Sequence, residues 1–416
     1  MAHALAGKPV QEQDIIDVQT IVDAYFDNVP DMTNPTQLVS FGTSGHRGTS
    51  VDGTFTDLHV AAITQAICDG RKQFGATGPI FVGQDTHALS QPALVTVLEV
   101  LAGNGVTAMV DCDMAFVPTP SVSRAIIRYN EEHDDKADGI IITPSHNPPD
   151  NGGIKYNTII GGPADTVVTK WIEMRANEYL TAYCESEDFK RISIDNIEPS
   201  AQVPYDYKGL YVEELGDVIN MEAIKAAGPK VLVDTLGGSG ASYWNAIKER
   251  YGLDLTIIHD DYDPTFSFMT YDHDGKVRMD CSSTYVMASV INRIGDFDLA
   301  VGNDPDYDRY GIVVSSGLIS ANTFLTLAAR YLFTTRGWKN KGVGKTVVCT
   351  TMIDKWAADA ETPVFEVPVG FKYFSQLLFD GAIGIGGEES AGASFLKKDG
   401  TVWTTDKDGM IMALLS

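Results

Sequence analysis

The chain has 416 residues, room for roughly three domains at about 150 residues each, and its 44% hydrophobic and 21% charged content excludes wholesale disorder. Its formal net charge is −25. Such a field repels polyanions, which argues against nucleic acid and anionic membrane as partners, so any anionic substrate needs a metal or a local knot of cations.

The amino-terminal ten residues carry no uninterrupted apolar run, so no secretory signal is expected. The apolar stretch 94–110 is broken by Glu99, Gly103, Asn104 and Gly105, too interrupted to span a membrane. Five scattered cysteines, Cys68, Cys112, Cys184, Cys281 and Cys349, lack metal-ligand spacing and read as reduced thiols. The expectation is a soluble, cytoplasmic protein.

Helical and strand patterns alternate along the chain, which argues α/β architecture. The first polar segment, FGTSGHRG at 41–48, combines glycines, the hydroxyls of Thr43 and Ser44, and the Arg47 guanidinium, a set suited to phosphate. It lacks the Gly-Lys-Ser/Thr ending of a Walker loop. A short apolar run at 79–83 then leads into Gln84-Asp85-Thr86-His87, and a second at 139–143 into Pro144-Ser145-His146-Asn147. Similar runs lie at 231–233, 297–302 and 382–385, each followed by a polar loop. Runs this short read as strands buried on both faces, and ligands of open α/β sheets bind beyond the carboxyl ends of such strands. The segment 185–207 reads as a linker. It sets expected domains at 1–198, 199–319 and 320–416, related to one another by the repeated strand-then-loop design.

Three loops carry unusual chemistry. Ser145 lies between a buried strand and a Pro/Asn/Gly run, which predicts a hydroxyl presented at a loop tip with His146 and Lys155 nearby. The same residues suit an Asx/Ser turn in which Ser145 only caps backbone groups. Asp304, Asp306 and Asp308 occupy alternate positions of an extended loop, so three carboxylates converge on one hard cation such as Mg²⁺. An EF-hand does not fit, because its sixth position is Arg309 and its twelfth is Ser315. Between the second and third of these loops, VGFKYF at 369–374 sets Lys372 among aromatics, where desolvation lowers a lysine pKa or the side chain simply snorkels. Glu388 and Ser390, in GGEESAG at 386–392, suit the hydroxyls of a sugar.

In this order, FGTSGHRG, TPSHNPPDNGGIKYN at 143–157, DPDYDRYG at 304–311, VGFKYF and GEESAGASF at 387–395 resemble the α-D-phosphohexomutase superfamily, in its bacterial-type phosphoglucomutase branch. The resemblance implies three consecutive mixed α/β domains around a shared central cleft. It implies reversible interconversion of α-D-glucose 1-phosphate and glucose 6-phosphate through a phosphoserine and a glucose 1,6-bisphosphate intermediate. Ser145 would carry the phosphate, and Asp304, Asp306 and Asp308 would hold Mg²⁺ with an oxygen of that phosphate. Arg309 would neutralise the phosphate in flight, Arg47 would support it from the first domain, and Lys155 and His146 would flank it. Lys372 matches the general acid/base position, and Glu388 and Ser390 would grip the sugar. Glucose 1,6-bisphosphate would serve as activator.

The resemblance covers three domains of a family that normally has four. No Arg-Pro-Ser-Gly-Thr-type loop for the non-reacting phosphate is found, and 408–416 reads as the start of an apolar helix. A C-terminal phosphate-binding domain absent from the chain is therefore expected, and a catalytically weak or silent phosphosugar-binding protein is the competing reading. A phosphatase using an aspartate of the Asp304 loop ranks last, because such enzymes usually have Thr or Val where Asp308 stands.

Overall fold

The computed structural model describes residues 2–42, 44–183 and 189–416. Thr43, Cys184 and residues 185–188 at the start of the expected linker lie outside the described residues.

The first sheet comprises β1 (His46–Thr49), β2 (Ile80–Gln84), β3 (Ala108–Asp111), β4 (Asp138–Ile142), β5 (Asn151–Asn157) and β6 (Gln202–Tyr205), in the order β1-β5-β4-β2-β3-β6. β4, β2, β3 and β6 run parallel, while β5 is antiparallel to both β4 and β1. The predicted runs at 79–83 and 139–143 are thus β2 and β4, each displaced by one residue. Their alternation explains the layers. Ile80, Val82, Ile140 and Ile142 pack with helices Asp57–Gly70, Ser90–Gly103 and Thr166–Tyr183, whereas Phe81 and Ile141 pack on the opposite face with helix Thr119–Glu132. Both faces are covered, so both strands are buried throughout. The sheet reaches beyond the boundary expected at 198, because β6 pairs with β3 as its edge strand. Too short and too polar to register as a strand in sequence, Gln202–Tyr205 is fixed by its partner.

The second sheet comprises β7 (Val231–Asp234), β8 (Leu255–Ile258), β9 (Leu299–Gly302), β10 (Gly311–Val314) and β11 (Gly317–Leu318), in the order β11-β10-β9-β7-β8. The third comprises β12 (Gly342–Thr346), β13 (Val364–Val367), β14 (Ile383–Gly387) and β15 (Ala393–Phe395), in the order β13-β12-β14-β15. One topology recurs in all three. Three parallel strands are followed by an antiparallel return beside the last of them: β4 to β5, β9 to β10, and β14 to β15. The three sequence-predicted loops are the three connections into those returns. The fold is therefore three related mixed α/β domains, as the repeated strand-then-loop design suggested.

The domains interlock. Residues 3–10 run along the second domain, with His3, Gly7 and Val10 amides donating to the carbonyls of His273, Tyr271 and Met269. Thr405 and Asp406 from the third domain reach the first, through Thr405 Oγ1 to the Ile160 carbonyl (2.6 Å) and Asn157 Nδ2 to Asp406 Oδ2 (2.9 Å). Helix Gly409–Leu415 is N-capped by Asp408, which accepts from the Ile411 amide, and buries Met410, Ile411 and Met412 completely. No helix among the described residues is long and apolar enough to cross a membrane. Cys68, Cys112, Cys281 and Cys349 are free thiols.

Candidate active site

The first-domain cations are placed by strand register. Arg47 on β1 pairs with Gly153 on β5, and Gly153 lies two residues from Lys155, so Arg47 and Lys155 project from one face. A Cβ at Gly153 would come within 2.3 Å of the Thr143 carbonyl oxygen, so glycine there lets the serine loop lie close against the strand. Lys155, 5% exposed, extends into the second domain and places Nζ 2.5 Å from Asp306 Oδ2 and 3.1 Å from Asp308 Oδ2. Burial disfavours its charge, but Asp306 and Asp308 outweigh that penalty and hold its pKa above the usual lysine value.

Ser145 differs from expectation. Its backbone is left-handed (φ 63°), and its hydroxyl is not at an open tip, since the residue is only 1% exposed. The acid loop covers it. Ser145 Oγ donates to Asp304 Oδ2 at 3.0 Å across the domain boundary, and the Met279 amide from the second domain donates to the His146 carbonyl. His146 Nδ1 lies 3.4 Å from Ser145 Oγ. Burial and the adjacent Arg309 cation lower the His146 pKa to about 3, so the ring is neutral at pH 7.

Asp304, Asp306 and Asp308 are fully buried, and one carboxylate oxygen from each lies within 4.8 Å of the other two. Burial, Asp308 and Asp306 together push Asp304 well above the usual carboxylate range. Asp308 is held well below it, because Lys155, Lys407 and Arg309 outweigh its burial. Asp306 Oδ1 and Asp308 Oδ1 are buried with no hydrogen-bond partner among the described residues. Three converging carboxylates with two orphaned oxygens fit a hard divalent cation, the donor set read from sequence. Arg309 caps the loop: its amide donates to Asp304 Oδ1 (2.9 Å), and its guanidinium lies 3.6 Å from Asp280.

A cleft lined by all three domains joins these groups. Ser44, Arg47 and Lys155 come from the first domain, Asp308 and Arg309 from the second, and Lys372, Glu388, Ser390 and Lys407 from the third. Ser145, His146, Asp304 and Asp306 lie behind its wall, reached through Asp308 and Lys155. Arg47 Nη2 donates to Ser44 Oγ at 3.0 Å, while its Nε is buried with no partner among the described residues. Lys372 is not desolvated as one reading of its aromatic neighbours held. It snorkels, with Nζ 5.6 Å from the Tyr373 ring centroid and donating to Thr166 Oγ1 at 3.0 Å. Glu388 accepts from the Gly370 amide (3.1 Å), and burial raises its pKa.

Sequence reasoning missed several residues of the site. Lys407 stands 2.7 Å from Asp308 Oδ2, and Thr119 donates to Asp306 Oδ2 at 2.8 Å. The hydrophilic run Thr404–Asp408, set directly before an apolar helix, was the available signal for Lys407. Thr119 had none, because it sits at an ordinary helix start.

Family comparisons match the three domains in chain order. Residues 38–182, 210–317 and 320–416 match, respectively, alpha/beta/alpha domains I, II and III of phosphoglucomutase/phosphomannomutase. A phosphoglucomutase of Komagataeibacter xylinus is 48% identical over 416 residues, which cover 99% of this chain and 75% of that protein. The chain belongs to the phosphoglucomutase/phosphomannomutase family. It is accordingly an enzyme of the phosphohexomutase class. Two solved structures share the fold. One is a putative phosphomannomutase from Thermus thermophilus, with a TM-score of 0.75 at 24% identity, covering 91% of this chain and 78% of that one. The other is the open form of pp63/parafusin from Paramecium, with a TM-score of 0.74 at 20% identity, covering 93% and 70%.

Proposed function

We propose that this phosphohexomutase interconverts α-D-glucose 1-phosphate and glucose 6-phosphate through a phosphate carried on Ser145. The observation that carries the reading is the hydrogen bond from Ser145 Oγ to Asp304 within a buried carboxylate triad. A serine hydroxyl is a weak nucleophile that needs a charge-stabilising site, and this one points straight at such a site.

In the first half-cycle the bond between phosphorus and Ser145 Oγ breaks as one forms to the free sugar hydroxyl. The hydroxyl proton passes to the neutral form of Lys372, which a bound sugar would favour by shielding the amine from water, and Ser145 Oγ leaves as the alkoxide that attacks again in the second half. The resulting glucose 1,6-bisphosphate turns over. Its other phosphate then returns to Ser145, and Lys372 returns the proton to the oxygen it leaves. Added glucose 1,6-bisphosphate loads an empty Ser145 by the same second step. Asp304, Asp306 and Asp308 would hold Mg²⁺, which when bound supplies positive charge beside the transferring phosphoryl group. Arg309 and Arg47 bring cations to the same face of the cleft, and Lys155 and Lys407, now paired with the carboxylates, lie within reach. Positioning and charge stabilisation of this kind carry most phosphoryl-transfer catalysis. Glu388 and Ser390 would orient the sugar ring, and Glu388 in particular is buried at the cleft wall with one oxygen already fixed by Gly370.

The test is a coupled glucose 6-phosphate assay with Mg²⁺ and glucose 1,6-bisphosphate, alongside mass spectrometry of the Ser145 peptide. Turnover with acid-stable phosphate on Ser145 is the expected result. Phosphate on an aspartate of the Asp304 loop instead would sink the reading.

A further inference from the structure

Beneath the serine loop lies a buried polar network that the half-reactions above leave without a role. The left-handed backbone of Ser145 is a conformation that a residue with a side chain keeps only where its surroundings over-determine it. Its amide donates to Thr143 Oγ1 at 2.7 Å. The Thr143 hydroxyl, with its single proton, donates in turn to Asp85 Oδ2 at 2.6 Å. Asp85 also takes the Ser90 hydroxyl and the His87 amide on Oδ1, and lies 2.8 Å from His87 Nδ1. His87 Nε2 reaches across to the carbonyl of Asn147 at 3.1 Å, on the far side of the same loop.

Both ring nitrogens of His87 therefore face acceptors, an arrangement that suits a ring protonated on both. Asp85 is the group that keeps it so. Burial works against both charges, yet each partner outweighs it, raising the His87 pKa and lowering that of Asp85. Both side chains are fully shielded, and Phe266 from the second domain packs over the imidazole with ring centroids 5.1 Å apart. A buried pair of this kind is weak evidence for stability, because desolvation cancels much of its attraction, so its retention calls for another explanation. Its two ends supply one.

We propose that Asp85 and His87 are positioning residues that clamp both flanks of the 143–147 loop, through the Thr143 hydroxyl on one side and the Asn147 carbonyl on the other, and so aim Ser145 Oγ at the phosphoryl group. The clamp rests on the phosphoserine reading above. It deepens that reading by naming what holds the nucleophile in line. Misplacement of a reacting group by about 1 Å costs on the order of 100-fold in rate, which sets the scale of the expected loss.

The experiment measures transfer of radiolabelled phosphate from glucose 1,6-bisphosphate onto Ser145 with Mg²⁺, together with kcat, KM and thermal midpoint. It uses the wild type, Asp85→Asn, Thr143→Val and Thr143→Ser. Loading and kcat should fall about 100-fold in Asp85→Asn and Thr143→Val with KM little changed, while Thr143→Ser, which keeps the hydroxyl, restores both. Should Asp85→Asn fail to fold, the two Thr143 variants carry the test, since they differ in the hydroxyl that links Ser145 to Asp85. Loading at the wild-type rate in folded Thr143→Val overturns the clamp while leaving the phosphoserine intact. Losses that merely follow the thermal midpoint, with no rescue by serine, also overturn it. A wild type that takes no label on Ser145 overturns the phosphoserine reading and the clamp together.

Discussion

The first and second sheets place an aspartate at the carboxyl end of corresponding strands, Asp85 just after β2 and Asp234 at the end of β7, and the two are surrounded alike. Each takes the amide two residues on, a serine hydroxyl (Ser90 or Ser289) and a histidine Nδ1 at 2.8 Å (His87 or His259). What each then touches differs. Asp85 goes on to Thr143 and through it to the Ser145 amide, and its histidine holds Asn147. The Asp234 carboxylate stops short of the acid loop, which is fixed instead by the amide and hydroxyl of Ser239 on the Pro305 carbonyl and by Trp244 Nε1 on Asn303. Gly240 permits that docking, since a Cβ there would meet the Tyr307 ring at 2.3 Å. One support is wired to the reacting residue and the other only braces a turn. The loops they serve differ in the same sense: the Ser145 hydroxyl and amide both have partners inside the protein, while two acid-loop oxygens have none among the described residues.

The largest effect should come from the first loop. Ser145→Ala removes the oxygen that carries the phosphate, so coupled-assay turnover should drop to background. Thermal stability should change by only about 1 kcal/mol, the value of one hydrogen bond. Substantial retained turnover would remove Ser145 from the reaction and erase the contrast between the two loops. In the second loop, Asp306→Asn takes one charge from the cation site, and the Mg²⁺ midpoint for activity should rise by at least about 10-fold. Wild-type protein should also gain thermal stability as Mg²⁺ is added, because a ligand that binds only the folded state stabilises it. That gain should shrink in the variant, and an unchanged titration would count against the triad as a metal site.

A sharper cut between the two supports is Asp234→Asn. Loss of its ties to His259 and Ser289 should lower stability by about 1–3 kcal/mol in chemical denaturation. Ser145 loading by glucose 1,6-bisphosphate should nevertheless stay near the wild-type rate. A large loading defect in a folded Asp234 variant would mean that both supports reach the chemistry.

This asymmetry also marks where the sequence was informative. β2, β4, β9 and β14 were legible because buried strands leave short apolar runs, and the loops after three of them because carboxylates, glycines and hydroxyls concentrate there. Thr43 lies outside the described residues, but every other candidate side chain lies at the cleft or just behind its wall. What stayed hidden depends on pairing across long sequence separations. Thr119 and Asp306 are 187 residues apart, and Lys407 meets Asp308 from another domain. The burial of Ser145 belongs to the same class, since it is produced by Asp304 and Met279 rather than by its own neighbours. Gln84-Asp85-Thr86-His87 was visible as a polar loop after a buried strand. Its residue types alone did not separate a support from an ordinary turn.

The smallest effect concerns what acid does to the two domains. The first holds a stacked pair of buried histidines, His46 and His59, with ring centroids 5.3 Å apart. His46 accepts from the Ser40 amide and faces the Thr54 carbonyl, and His59 accepts from the Thr56 amide and faces the Gln37 carbonyl, so each ring is neutral with one proton on Nε2. Burial lowers their pKa values from 6.5 to about 4 and about 3. The unfolded chain therefore binds a proton at each site that the folded domain refuses. Their contribution to stability is complete above pH 6.5 and is lost as pH falls toward the folded values. The slope is about 1.4 kcal/mol per pH unit for each histidine. His59→Gln keeps a donor and an acceptor on one side chain but cannot titrate. Denaturation curves taken between pH 6 and 4.5 should lose one histidine's share of that slope. Equal slopes in wild type and His59→Gln would mean that the pair is not held neutral, and that acid does not single out the domain bearing the serine.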